Sequence, residues 1–112
     1  MPMALLVTHV LLPGHEAAFD ALVAQTVAGI TALEERTWVY VSHVPGDQPR
    51  QRVFYELYAD HDAFVAHEAQ PHTRRFLAER QDHIESVEVQ FFTDLPAVGL
   101  GAPGARPGSA SA

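Results

Sequence analysis

The chain contains no cysteine and no lysine. Without thiols it can form no disulfide, zinc ribbon or iron–sulfur centre, and it has no thiol nucleophile. Without lysine, all seven basic residues are arginines, set against fourteen Asp and Glu, for a formal net charge of −7. No basic stripe is present, and an acidic surface repels phosphate backbones, so nucleic acid is not expected as a partner. No apolar run approaches the roughly 20 residues of a membrane span. Met1 to Thr8 lacks the basic start of a signal peptide. These absences predict no membrane partner and a cytoplasmic location. The length, 112 residues, suits one domain able to bury its own core.

Within that length the pattern changes period several times. Ala4 to Leu12 reads as a strand, with Leu5, Val7, His9 and Leu11 on one side and Leu6, Thr8, Val10 and Leu12 on the other. Both sides are mostly apolar, which predicts cover on both faces. Pro13-Gly14 stops the strand. From about His15 to Leu33, Phe19, Leu22, Val23, Thr26, Val27, Ile30 and Leu33 recur at helical spacing. Thr37 to Val44 and Arg52 to Ala59 read as a strand pair joined by the polar turn Pro45 to Arg50. Asp60 is a suitable N-cap for a short helix carrying Ala63, Phe64 and His67. Pro71 restarts a second helical piece, from His72 to about Asp82, that buries Phe76. Glu85 to Thr93 is a last strand. Residues 1–94 are therefore read as the domain, and 95–112, rich in Pro, Gly, Ala and Ser, as a flexible tail.

The order βαββαβ predicts an α+β, ferredoxin-like domain, a four-stranded antiparallel sheet with its helices on one face. The other face still carries apolar side chains. Its simplest cover is a second copy of the same sheet, so the pattern predicts a homodimer, a dimeric α/β barrel.

Phe54-Tyr55-Glu56-Leu57-Tyr58-Ala59-Asp60-His61-Asp62-Ala63-Phe64-Val65-Ala66-His67, continued by Pro71-His72 and Phe76, resembles the signature of antibiotic biosynthesis monooxygenase domains. The Pro13-Gly14-His15-Glu16 turn with Phe19, and the strand from Thr37 to Tyr40, fit the same family, so the resemblance spans about residues 4 to 93. It implies the fold firmly and the chemistry loosely, because members differ in task. Some oxygenate phenolic or quinol compounds without metal or flavin, some process a signalling sugar derivative, and some degrade haem. The haem-degrading pattern wants Asn, Trp and a ligating His at positions placed by spacing near Val7, His67 and Arg75. None of the three carries the required residue, so haem is not expected.

Oxygenation without a cofactor requires the substrate itself to become an electron-rich anion, since triplet oxygen reacts slowly with closed-shell organics. That needs a base, donors for the resulting oxyanion and a dry aromatic pocket. His67 and His72 flank Pro71 and are the candidate bases. Glu56, mid-strand among apolar residues, either orients a histidine, acts as a base, or is a buried carboxylate paired across the sheet. Trp38, Tyr40, Phe54, Tyr58, Phe64 and Phe76 are the candidate substrate-binding aromatics, each of which could instead be core. His9, His15, His43, His61 and His83 read as surface or edge residues. The spacings His61 to His67 and His67 to His72 are not those of a metal pair, and no metal or other cofactor is expected. The reading that best joins these features is a cofactor-independent monooxygenase taking molecular oxygen and a small, aromatic, phenolic, quinol or polyketide substrate. The alternatives are an isomerase or signalling-molecule-processing enzyme on the same fold, or a non-catalytic dimer that binds a small molecule.

Overall fold

The computed structural model describes residues 1–93; the tail read from residue 95, and the boundary at 94, lie outside the described residues. β1 (Met3–Leu11) is followed by α1 (Glu16–Leu33), β2 (Thr37–His43), β3 (Gln51–Tyr58), α2 (His61–Ala69), α3 (Pro71–Glu79), a 3-10 turn (Arg80–Asp82) and β4 (Ile84–Phe92). The four strands form one antiparallel sheet in the order β2-β3-β1-β4. This is the ferredoxin-like arrangement expected from the element order.

Alternation along the two central strands decides what the sheet offers its helices. Leu5, Val7, His9 and Leu11 of β1 and Phe54, Glu56 and Tyr58 of β3 are all buried on the helical face. α1 covers part of that face with Phe19, Leu22, Val23, Thr26 and Ile30. Its other apolar residues differ from expectation: Leu33 is 66% exposed and Val27 37%, because the buried stripe is narrower than the helical pattern alone suggested. By length and mean hydropathy (1.2), α1 is apolar enough to cross a membrane. In this fold it is instead the helix that closes the core beside Phe54 and Phe76. The N-terminal turn uses Gly14 at φ +83°, a left-handed conformation that glycine adopts freely. Asp60 caps α2 by accepting from the Ala63 amide at 2.9 Å, and Pro71 opens α3 at its first turn.

The opposite face of the sheet carries half-buried Leu6, Val10, Val53 and Tyr55 and exposed Val41. β4 lies at one edge. Its Val89 and Phe91 pair with Val7 and Leu5 and so point to the helical side, yet they are 44% and 59% exposed, because the helices do not reach over that edge.

Candidate active site

The uncovered edge opens a cavity of about 270 Å³ between the sheet and the α2–α3 pair. A row of register partners runs across its floor, with Tyr40 opposite Glu56, Glu56 opposite Leu5, and Leu5 opposite Phe91. The roof is Phe64, His67 and Glu68 from α2 and Thr73, Phe76 and Leu77 from α3, with Arg80 beyond them. Phe64 meets Phe91 edge-on across the mouth, with ring centroids 6.0 Å apart. The lining is thus mostly apolar with a few polar groups, the usual make-up of a small-molecule site.

His67 is buried in the roof, and its Nδ1 donates to Glu34 Oε1 at 2.7 Å. Glu34, the residue that ends α1, keeps only 5% of its side chain exposed. The same Oε1 accepts from Thr37 Oγ1 at 2.8 Å, and Oε2 accepts from His72 Nε2. A buried carboxylate is tolerable only when its lone pairs are answered, and here three donors answer them. With Nδ1 committed to the carboxylate, Nε2 of His67 is the nitrogen left to act. Burial lowers the pKa of His67 from its ordinary value, against the opposing pull of Glu34, so the ring is neutral near pH 7 and Nε2 carries a lone pair.

Glu56 forms the second polar centre. Burial pushes its carboxyl up to about 7, only partly offset by the hydroxyl of Tyr58, which donates to Oε1, and by the charge of Arg80. Tyr40 and Tyr58 are held well above their ordinary range by burial and by the neighbouring Glu56, so both keep their protons as donors. His9, fully buried among Phe19, Phe54 and Phe76, is pushed down to about 4 by burial and then by Arg80. Its Nε2 accepts from Arg80 Nη1 at 3.2 Å, while Nδ1 approaches the Arg52 backbone without completing a hydrogen bond.

Of the residues singled out in the sequence, Glu56, His67, Tyr40, Phe64 and Phe76 line this cavity together. The other four sit elsewhere. His72 borders a separate surface groove with Leu22, Gln25 and Arg75, and meets His67 only through Glu34. Phe54 and Tyr58 are completely buried core residues behind the cavity wall. Trp38 sits where the β2–β3 register slips, between Thr37 and Val39, and borders a shallow groove beside α1. Glu56 is paired by Tyr58 on its own strand, rather than by a residue across the sheet.

Several cavity and site residues were not anticipated, Glu68 and Thr73 of the roof among them. His9, read as a strand surface residue, is fully buried. Its position among Leu5, Val7 and Leu11 on the inner side of β1 was the available signal. Glu34 and Arg80 gave none, since each looks like an ordinary helix-end charge. His15 and His83 are also more than edge residues, because their Nδ1 atoms lie 2.9 Å apart in a half-buried contact. Among the described residues no cluster of three or more His, Asp or Glu could hold a metal ion.

The family model described as "Antibiotic biosynthesis monooxygenase" matches residues 5–79. A solved protein of Bacteriodes thetaiotaomicron VPI-5482 superposes with a TM-score of 0.79 at 22% identity, covering 94% of each chain. Rv0793 from Mycobacterium tuberculosis gives 0.78 at 21%, covering 87% of this chain and 98% of its own. A structure described as antibiotic biosynthesis monooxygenase gives 0.76 at 21%, covering 84% of this chain and 99% of its own. At these identities the likeness concerns the fold. No curated protein matches the sequence.

Proposed function

Because the chain belongs to the antibiotic biosynthesis monooxygenase family, we propose that it is a monooxygenase that oxygenates a phenolic, quinol or aromatic polyketide substrate without a cofactor. The observation that carries this reading is His67: a neutral imidazole fixed through Nδ1 to buried Glu34, in the roof of an aromatic cavity. In the proposed reaction Nε2 removes a proton from the substrate, and Glu34 stabilises the imidazolium that forms, as a carboxylate does behind any histidine base. Tyr40 donates to the oxyanion left behind. The substrate anion then reduces dioxygen. For an anthrone-type methylene, one oxygen atom ends in the new carbonyl, and the other leaves as water with the two hydrogens of that carbon. The substrate supplies every electron. We also take the working molecule to be a homodimer located in the cytoplasm.

Oxygen uptake by metal-free protein supplied with hydroquinones or anthrones tests this. Uptake should exceed the protein-free blank, and His67→Ala should cost about 10²-fold or more, the usual worth of a positioned base. Uptake equal to the blank across such substrates sinks the reading. One observation favours a second reading, an isomerase of small hydroxyketones. Neutral His67 and protonatable Glu56 line the same cavity and form a base–acid pair able to move a proton without oxygen. Turnover that persists under anaerobic conditions would select it.

A further inference from the structure

Among the described residues Arg80 stands apart from the other arginines. Arg36, Arg50, Arg52 and Arg75 each pair with a carboxylate, and Arg74 is exposed to water. Arg80 is half-buried, lines the cavity, and among the described residues has no carboxylate within ion-pairing distance. The groups it touches are neutral: it lies 5.8 Å over the Phe76 ring, and Nη1 donates to His9, a ring that stays uncharged. Glu68, exposed on the same cavity lining, acts on Arg80 by charge alone, from beyond ion-pairing distance. Among the described residues its Nε is buried with no hydrogen-bond partner. Glu56 is close enough for each to feel the other's charge, but its Oε1 accepts from Tyr58, and burial favours its neutral form. Arginine does not escape such a place by losing its proton. A guanidinium drawn from water without a counter-ion is costly, and the missing negative charge is one that a cavity ligand can bring.

We propose that Arg80 is the counter-ion for an ionised oxygen on a compact planar aromatic ligand, a phenolate or enolate, bound in this cavity. The inference rests on the cavity being the substrate site and narrows its substrate to the ionised class. Phe64, Phe76 and Phe91 supply flat apolar walls, and the protonated hydroxyl of Tyr40 is available as a second donor to the same oxygen. The volume, about 270 Å³, lies just below the usual span of ligand cavities, about 300 to 1,000 Å³. Such a space suits a few fused rings rather than a long chain. Arg80 would hold the anion, and His67 would act on the proton to be removed.

Two naphthoquinones separate charge from shape. 2-Hydroxy-1,4-naphthoquinone is an enolate at neutral pH, and its 2-methoxy ether has the same rings without the charge. By calorimetric titration the wild-type protein should bind the enolate at least tenfold more tightly than the ether. Arg80→Gln should bring the two within about twofold, and Arg80→Lys should keep part of the preference, since the charge stays but the planar fork is lost. Should Arg80→Gln fail to fold, the wild type still decides. The Arg80 Nε–H resonance must shift on adding enolate and stay put with ether. Equal affinity of wild type for the two compounds, an unmoved resonance, or an undiminished preference in folded Arg80→Gln each overturns the proposal. Enolate binding with no oxygen uptake from any phenolic substrate would defeat the oxygenase reading alone. Oxygen uptake without an anion preference would defeat this one alone.

Discussion

At Glu56 and His9, burial acts on opposite charges. Glu56 is raised to about 7 and His9 lowered to about 4, each because the interior disfavours its ionised form. The two therefore push stability in opposite directions with pH. As pH rises from the ordinary carboxylate range toward 7, the unfolded chain ionises Glu56 freely while the folded chain resists, so Glu56 costs stability as it is forced to charge. As pH falls from 6.5 toward 4, His9 costs stability in the same way, and His67, also lowered, shares its sign. Glu56→Gln keeps an acceptor for Tyr58 and removes the first effect. The variant should gain on wild type as pH rises from 5 to 8, reaching about 3 kcal/mol in urea melts. A pH-independent difference would show that Glu56 titrates normally in the fold. Glu34→Gln tests the other centre. An amide offers one acceptor oxygen and turns its NH₂ against one of the two histidine N–H groups. It should destabilise the fold by about 1–3 kcal/mol and lower kcat with little change in KM. A raised KM with kcat unchanged would make Glu34 a binding residue instead.

Helix packing explains why the two histidines serve different places. α1 passes close enough to α3 that a Cβ added at Gly29 would lie 2.5 Å from the His72 ring. Only a glycine there lets His72 reach Glu34. Gly→Ala inside a helix ordinarily stabilises by about 0.5–1 kcal/mol. Gly29→Ala should do the reverse, lowering Tm, and should shift the imidazole resonances of His72 and, through Glu34, of His67. A gain in Tm with unmoved resonances would show that the contact is readily relieved. The elements themselves were legible because period, capping and punctuation agreed: alternation in β1 and β3, Asp60 before α2, Pro71 opening α3. The register slip at Trp38 was not, since a one-residue bulge leaves local composition unchanged while re-aiming the side chain.

For the molecule as a whole, the two faces of the sheet differ in what covers them. The helical face has its core and its cavity, while Leu6, Val10, Val41, Val53 and Tyr55 lie half-buried or exposed on the other. We propose that a second copy covers that face. Sedimentation at micromolar concentration should then give a species of about twice 12.3 kDa, and Val53→Glu, placing a charge in the shared face, should shift it to the monomer. A single 12.3 kDa species of the wild type sinks the dimer.

The sequence by itself determined the element order, the ferredoxin-like topology and the family, because these depend on periodicity and local chemistry that each segment carries alone. It also marked His67, with His72, as a candidate base beside Pro71, and Glu56 as a charge mid-strand among apolar residues, features visible within one short segment. Which groups meet was decided only in three dimensions. Glu34 joins His67 and His72 from 33 and 38 residues away, and Arg80 reaches His9 across 71. Contacts over such separations leave no local pattern, since either partner would look the same in sequence if the other were elsewhere.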